Sequence, residues 1–189
     1  YEIASCLVGS EMCIRDRNVR AWIFKEGITL SKKETKTNAM RILERMKIPY
    51  EMRTYECDEF TDGIHVADLL GISYETMYKT LVTVGKSKAY YVFVIPIAEE
   101  IDFKKAAKSV GEKSLEMLPL KELTAVTGYV RGGCTSIGMK KKFKTIIQED
   151  AQKLDKIIVS GGKIGLQLIL LPEDLKRAAD AEYADIIHR

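Results

Sequence analysis

The chain has 189 residues, 46% of them hydrophobic and 30% charged, the make-up of a globular domain able to bury a core of its own. Its net charge is only +3 and no apolar run reaches the roughly 18 residues that span a bilayer, which excludes a histone-like polyanion coat and predicts a soluble protein. The four cysteines, Cys6, Cys13, Cys57 and Cys134, lack paired or metal-type spacing, so neither a disulfide framework nor a zinc site is expected, and a reducing cytosol fits.

Residues 1–17, YEIASCLVGSEMCIRDR, show no helical or strand period and lack the positive start and apolar core of a signal peptide. LVGSEMCIRDR resembles a translated reading frame of a transposon-based sequencing adapter, and the segment is expected to be read-through outside the fold. From Lys36 the pattern becomes regular. In TNAMRILERMKIP, Thr37 or Asn38 can cap a helix whose Met40, Leu43 and Met46 recur at helical spacing before Pro49. YEMRTYEC alternates like a strand, and DGIHVADLLG reads as a short helix opened by Asp62 and closed by Gly71. TLVTVG and AYYVFVIPI, separated by KSK, predict two buried strands in hairpin register. DFKKAAKSVG predicts a helix between an Asp cap and a Gly stop, and PLKELTAVTG another with Pro119 in its first turn. After the loop RGGCTSIG, the runs FKTIIQ, KIIVS and LQLILL are of β type, and PEDLKRAAD closes the pattern as a helix. Strands outnumber helices without strict alternation. The expected fold is therefore α+β, a single domain with a mixed, barrel-like β-sheet flanked by short helices, and not a doubly wound nucleotide fold.

His65 and His188 are the only histidines, and neither lies in a nucleophile-elbow pattern, which argues against a triad hydrolase. Neither GxxxxGK[ST] nor GxGxxG occurs, and SGGKIG at 160–165 lacks the Lys-Ser/Thr ending of a phosphate loop. Three features remain: Lys79 in ETMYKTLV, the pair Gly132-Gly133, and the turn at Gly161-Gly162. Singly, each has a plain structural explanation. A lysine at a strand edge is commonly a solvated gatekeeper, paired glycines make tight turns, and KKKFK at 140–144 forms a solvated face with Phe143 inward. Taken together, two loops exposing backbone N–H groups, one lysine before a buried strand and a basic run suit an anionic or ester-bearing substrate on a polyanionic carrier.

TNAMRILERMKIPYEMRTYE, DGIHVADLLG followed by YKTLV, FKKAAKSVG, TGYVRGGCTSIGMKKK and VSGGKIGLQL, in this order and spacing, resemble the YbaK/EbsC family of aminoacyl-tRNA deacylases, close to its Cys-tRNA(Pro) branch. The family is similar to the editing domain inserted in some bacterial prolyl-tRNA synthetases. The resemblance covers residues 34–189 and makes residues 1–33 an extension outside the domain. It implies a cytoplasmic trans-editing enzyme with no cofactor, metal or membrane, acting on misacylated tRNA, with prolyl-tRNA synthetase as a candidate partner. Carried onto this chain, the family's lysine falls on Lys79, its following threonine on Thr80 and its pocket tyrosine on Tyr55. The glycine loop falls on Gly132 and Gly133, with a hydroxyl kept by Thr135, and the serine of the turn on Ser160. The resemblance thus implies Lys79, Gly132 and Gly133 as the catalytic set, and Tyr55, Thr80, Thr135 and Ser160 as substrate contacts. Lys140, Lys141, Lys142 and Lys144, with Lys163, are expected to meet tRNA phosphates. Two positions depart from the family's pattern: Thr135-Ser136 stands where many relatives have Ser-Pro, and Asp62 where some have phenylalanine. In the cysteine-specific branch the thiol of the substrate attacks its own ester carbonyl, releasing tRNA and a thiolactone. Cys134 is accordingly expected to be a loop or pocket-wall residue and not a nucleophile. Alternative readings are an Ala-tRNA(Pro) deacylase that uses water, and a non-catalytic tRNA- or synthetase-binding module.

Overall fold

A computed structural model of the chain describes residues 36–55 and 63–188. The expectations for residues 1–33, for the end of the first strand at Glu56 and Cys57, and for Asp62 as a cap or pocket residue lie outside the described residues.

Thr37 caps α1 (Asn38–Arg45), its Oγ1 accepting from Met40 N at 3.3 Å. Asn38 is thereby inside the helix, where its amide donates to Gly138 O at 2.7 Å. Ala39, Met40 and Leu43 form the buried stripe. β1 (Glu51–Thr54) is shorter than its alternating run and exposed throughout. α2 (Gly63–Leu70) ends at Gly71, whose φ of 61° lies in the left-handed region. β2 (Tyr78–Gly85) and β3 (Tyr90–Pro96) make the expected hairpin, with Tyr78 opposite Pro96 and Val84 opposite Tyr90. α3 (Phe103–Val110) is capped by Asp102, which accepts from Lys104 N at 2.8 Å and Lys105 N at 3.1 Å. A strand not predicted from patterning, β4 (Leu115–Met117), follows. Pro119 then precedes α4 (Leu120–Thr127) and does not lie in its first turn, because its ψ of 134° is extended and its carbonyl accepts the first turn bond from Glu122 N at 2.9 Å.

β5 (Lys144–Gln148) leads through a 3-10 turn to β6 (Ile157–Ser160), β7 (Leu166–Leu170), α5 (Pro172–Ala179) and a second unpredicted strand, β8 (Ala181–Ala184). The larger sheet has the order β4-β2-β3-β5-β8 and is mixed: β3, β5 and β8 run parallel, while β2 is antiparallel to both its neighbours. The smaller sheet, β1-β7-β6, is antiparallel. A parallel bridge between Met77 and Ile158 joins the two, with Ile158 N donating to Thr76 O at 2.9 Å. The expected α+β domain with a mixed sheet is present, and no closed barrel forms among the described residues. Closure requires the end strands to pair, and among the described residues β4 and β8, of 3 and 4 residues, end the larger sheet without doing so.

Val94 and Ile147 join Tyr78 in a core shared with α1, α5, β6 and β7, whereas Phe93, Ile95 and Ile146 pack with α3 and Ile186. The central strands are thus buried on both faces, which is why YYVFVIP reads as a continuous apolar run. No helix of the described residues is long and apolar enough to cross a membrane.

Candidate active site

A cleft of about 260 Å³ opens at the seam where the two sheets meet. β2 contributes Lys79 and Thr80, β6 contributes Ser160, β7 contributes Gln167, and Tyr55 enters just after β1. The loop 131–134 brings Arg131, Gly132 and Cys134, while Val66 and Ile97 supply apolar wall. Of the residues implied by the family resemblance, Lys79, Gly132, Tyr55, Thr80 and Ser160 therefore converge on one cavity.

Lys79 is half-buried, and its Nζ donates to Ile97 O at 2.9 Å. A solvated gatekeeper would have its ammonium in water; this one is anchored by a main-chain carbonyl at the cleft wall. Tyr55 is placed by its own backbone, its N–H donating to Gly165 O at 2.9 Å. Gly165 has to be glycine: its φ is 79°, and a Cβ there would lie 2.6 Å from Tyr55 O. The SGGKIG turn therefore shapes the cleft from behind.

The two glycines of RGGCTSIG have different situations. Gly132, at φ 80°, lines the cleft. Gly133 does not line it: its N–H is engaged by Val130 O at 3.1 Å, and a Cβ would sit 3.1 Å from Ile164 N, so its bare Cα lets the two glycine loops pack together. Thr135 is likewise behind the cleft, fully buried, with Oγ1 accepting from Ile137 N at 3.5 Å. Tyr129 braces both loops. Its OH donates to Ile137 O at 2.8 Å, and its ring lies 3.0 Å from where a Cβ on Gly162 would stand.

Cys134 forms part of the cleft wall, and burial pushes its thiol up to about 12, so it stays protonated and a poor nucleophile at neutral pH. Gln167, inside the quoted stretch VSGGKIGLQL but not singled out there, is 2% exposed and lies opposite Ser160 in the β6–β7 ladder. Its amide nitrogen reaches Met77 Sδ at 3.7 Å, while its Oε1 and Ser160 Oγ are buried with no hydrogen-bond partner. A further signal for it in the sequence is a lone amide inside the otherwise apolar run LQLILL.

The basic run divides. Lys140 turns back on the end of α4, its Nζ donating to Thr124 O at 3.3 Å, and Lys144 faces Glu182 at 3.5 Å. Lys141 and Lys142 line a separate groove, and Lys163 is exposed on the turn that packs against Gly133.

The aminoacyl-tRNA editing domain model matches residues 62–178, which includes the cleft residues on β2, the glycine loop, β6 and β7. The chain belongs to the aminoacyl-tRNA editing family. One family relative, from Enterococcus faecalis, is the “Putative Cys-tRNA(Pro)/Cys-tRNA(Cys) deacylase EbsC”, 47% identical over 160 residues that cover 83% of this chain and 98% of that protein. Among solved structures, “a putative trans-editing enzyme for prolyl tRNA synthetase” superimposes with a TM-score of 0.72 at 21% identity, covering 84% of this chain and 100% of that one. A crystallised hypothetical protein gives a TM-score of 0.74 at 20% identity, covering 80% of this chain and 100% of the other. At such identities the two structures speak to the editing-domain fold.

Proposed function

We propose that this chain is a cytoplasmic trans-editing deacylase that removes cysteine from Cys-tRNA(Pro), and from Cys-tRNA(Cys), by attack of the substrate's own thiol. The observation that carries the reading is the cleft itself, where Lys79, its ammonium held 2.9 Å from Ile97 O, shares the lining with Ser160 and Gln167, whose Oγ and Oε1 are buried and without a hydrogen-bond partner. An unsatisfied buried polar group costs about 1–3 kcal/mol, so this cavity favours a ligand that brings a donor. The α-ammonium of an aminoacyl ester is such a donor. A cavity of about 260 Å³ has room for the side chain and ammonium of an aminoacyl ester. The name of the 47% identical relative supports cysteine as the amino acid.

In this mechanism the cleft folds the cysteinyl side chain back on its ester. The substrate sulfur forms a bond to the carbonyl carbon, the ester C–O bond breaks, and the thiol proton passes to the departing ribose oxygen. Free tRNA and a thiolactone leave, and water later opens the latter. Gly132 N–H accommodates the developing oxyanion, and Lys79 stabilises charge at the ester. Tyr55 and Thr80 bound the side chain, Cys134 serves as wall, and Gly133 and Thr135 support the loop from behind. Serine and alanine esters react poorly because they lack the thiol. Selection of tRNA(Pro) falls to prolyl-tRNA synthetase, a partnership for which the trans-editing structural neighbour is the support.

The test mixes purified protein with Cys-tRNA(Pro), Cys-tRNA(Cys) and Ala-tRNA(Pro), and follows ester loss and small-molecule products. Loss of the cysteinyl esters with thiolactone release is expected, slowed about 100-fold or more by Lys79→Ala. Loss of the alanyl ester alone would replace the thiol-assisted reaction by hydrolysis, and loss of no ester would leave a binding module.

A further inference from the structure

On the other side of the glycine loop lies a second concavity, of about 480 Å³, bounded by α1, residues 136–143 and the end of α5. Four cations line it, Arg45, Lys141, Lys142 and Arg177, against the single carboxylate of Asp180. The lining thus carries an excess of positive charge, which Asp174 offsets in part by facing Arg177 at 3.7 Å. Arg45 and Arg177 stand in the last turns of α1 and α5, where a cation also steadies the helix end. Lys141 and Lys142 have no such structural use, and neither makes an ion pair or side-chain hydrogen bond among the described residues. A second observation is independent of charge: Ser136 lines the same groove at 7% exposure, and its Oγ is buried without a hydrogen-bond partner.

The loop ties this groove to the cleft. Gly132 and Cys134 line one and Ser136 and Gly138 the other, while Gly138 O is held by Asn38 at 2.7 Å and by Tyr129 OH at 3.2 Å. A ligand spanning both sites needs one end that fits the cleft and a run of negative charge across the loop from it. An ester on the terminal ribose of an RNA strand has that form, its nearest negative charges being the phosphodiesters of the same strand.

Resting on the deacylase reading above, we propose that this groove seats the RNA phosphodiester backbone, with Arg45, Lys141, Lys142 and Arg177 neutralising its phosphates and Ser136 donating to one of them. Lys140 and Lys144 do not line the groove and lie outside this set, turned to the end of α4 and to Glu182. The groove reads charge and not base sequence, and binding is correspondingly sensitive to salt.

The test measures binding of unacylated tRNA by fluorescence anisotropy over a salt series, which is independent of any cleavage. The double variant Arg45→Glu/Arg177→Glu should weaken binding about tenfold or more and lower the slope of log K against log[salt] by about 1 for each phosphate no longer neutralised. Arg45→Gln/Arg177→Gln should do the same to a smaller degree, which guards against a folding defect. Lys104→Glu/Lys108→Glu, an equal charge change on α3 away from the groove, should have little effect. Unchanged affinity and slope in the Arg45/Arg177 variants would overturn the proposal, as would an equal loss in the α3 control. Saturable binding of inorganic pyrophosphate that depends on Arg45 and Arg177 while tRNA binding does not would assign the groove to a small anion, and would also overturn it. If the wild type cleaves no aminoacyl ester, the deacylase reading falls while the groove is still scored by tRNA binding.

Discussion

Gln167 is 2% exposed among the leucines and isoleucine of β7, where its acceptor meets nothing in the protein. An orphaned buried acceptor weakens the fold, so its presence in a cleft marks a position where stability yields to binding. Gln167→Leu should therefore raise stability by about 1 kcal/mol in denaturant titration while lowering kcat/KM on Cys-tRNA about tenfold or more, the two moving in opposite directions. A parallel loss of both would mean that the amide is structural. Cys134 carries the opposite expectation. With its thiol pushed up to about 12 by burial, Cys134→Ala should retain ester cleavage. At pH 8, peptide mapping should find Cys134 alkylated far more slowly in the folded than in the unfolded chain, because the thiolate is the reactive form.

At the scale of elements, two glycine-rich loops are made into one wall by close packing. Gly133 sets its Cα on the backbone of Lys163 and Ile164, and Tyr129 reaches across to both loops. In Gly133→Ala the new methyl would stand 3.1 Å from main-chain atoms that have little room to retreat. The expected cost is about 1 kcal/mol of stability from overpacking, with a proportionately larger fall in kcat/KM as Gly132 shifts relative to Lys79. Thermal melts and single-turnover cleavage on the same preparation separate the two effects. The helices were legible because their ends carry local chemistry: Thr37, Asp102, Gly111 and Pro172 each stand where a cap or stop is used. β4 and β8 were not, since LEM and AEYA contain no β-branched residue and owe their form to the neighbours they pair with.

For the whole molecule, the C-terminal segment is strapped to the start of α3. Ile101 bridges Ile187, Lys105 pairs with Asp185 at 2.8 Å, and His188 lies 3.7 Å from Asp102. The backbone N–H of Lys105, followed by that of Lys104, holds the Asp102 carboxyl below its ordinary value. Glu44, beside Lys36, and Glu112, bonded by Ser87 and Tyr91, are lowered in the same way. A carboxylate whose folded value is lowered contributes stability that is fully present above its unfolded value and disappears as pH falls through the folded one. Stability should accordingly be flat near neutrality and decline below about pH 4. Asp102→Asn should make that acid decline shallower in melting temperatures recorded between roughly pH 2 and 6. An unchanged acid limb would show that the cap and its neighbours do not carry it.

The sequence by itself determined the order of most elements, the α+β class, and five of the residues that meet in the cleft. The elements and the class follow from short-range rules, namely capping, apolar period and turn chemistry, whereas the five residues come from the family resemblance carried by motifs in fixed order. Only the tertiary structure decided that the strands form two sheets with a cleft at their seam, that Gly133 and Thr135 support the loop while Gly132 faces the cavity, and that Gln167 belongs to the site. It also decided that five consecutive residues, KKKFK, serve four separate purposes, with Arg45 and Arg177 brought beside Lys141 and Lys142 from more than 30 residues away on either side. The physical reason is common to all of these. Which groups stand unpaired, and which are held by a carbonyl or carboxylate, depends on partners distant in the chain, and only packing brings them within hydrogen-bonding or ion-pairing range.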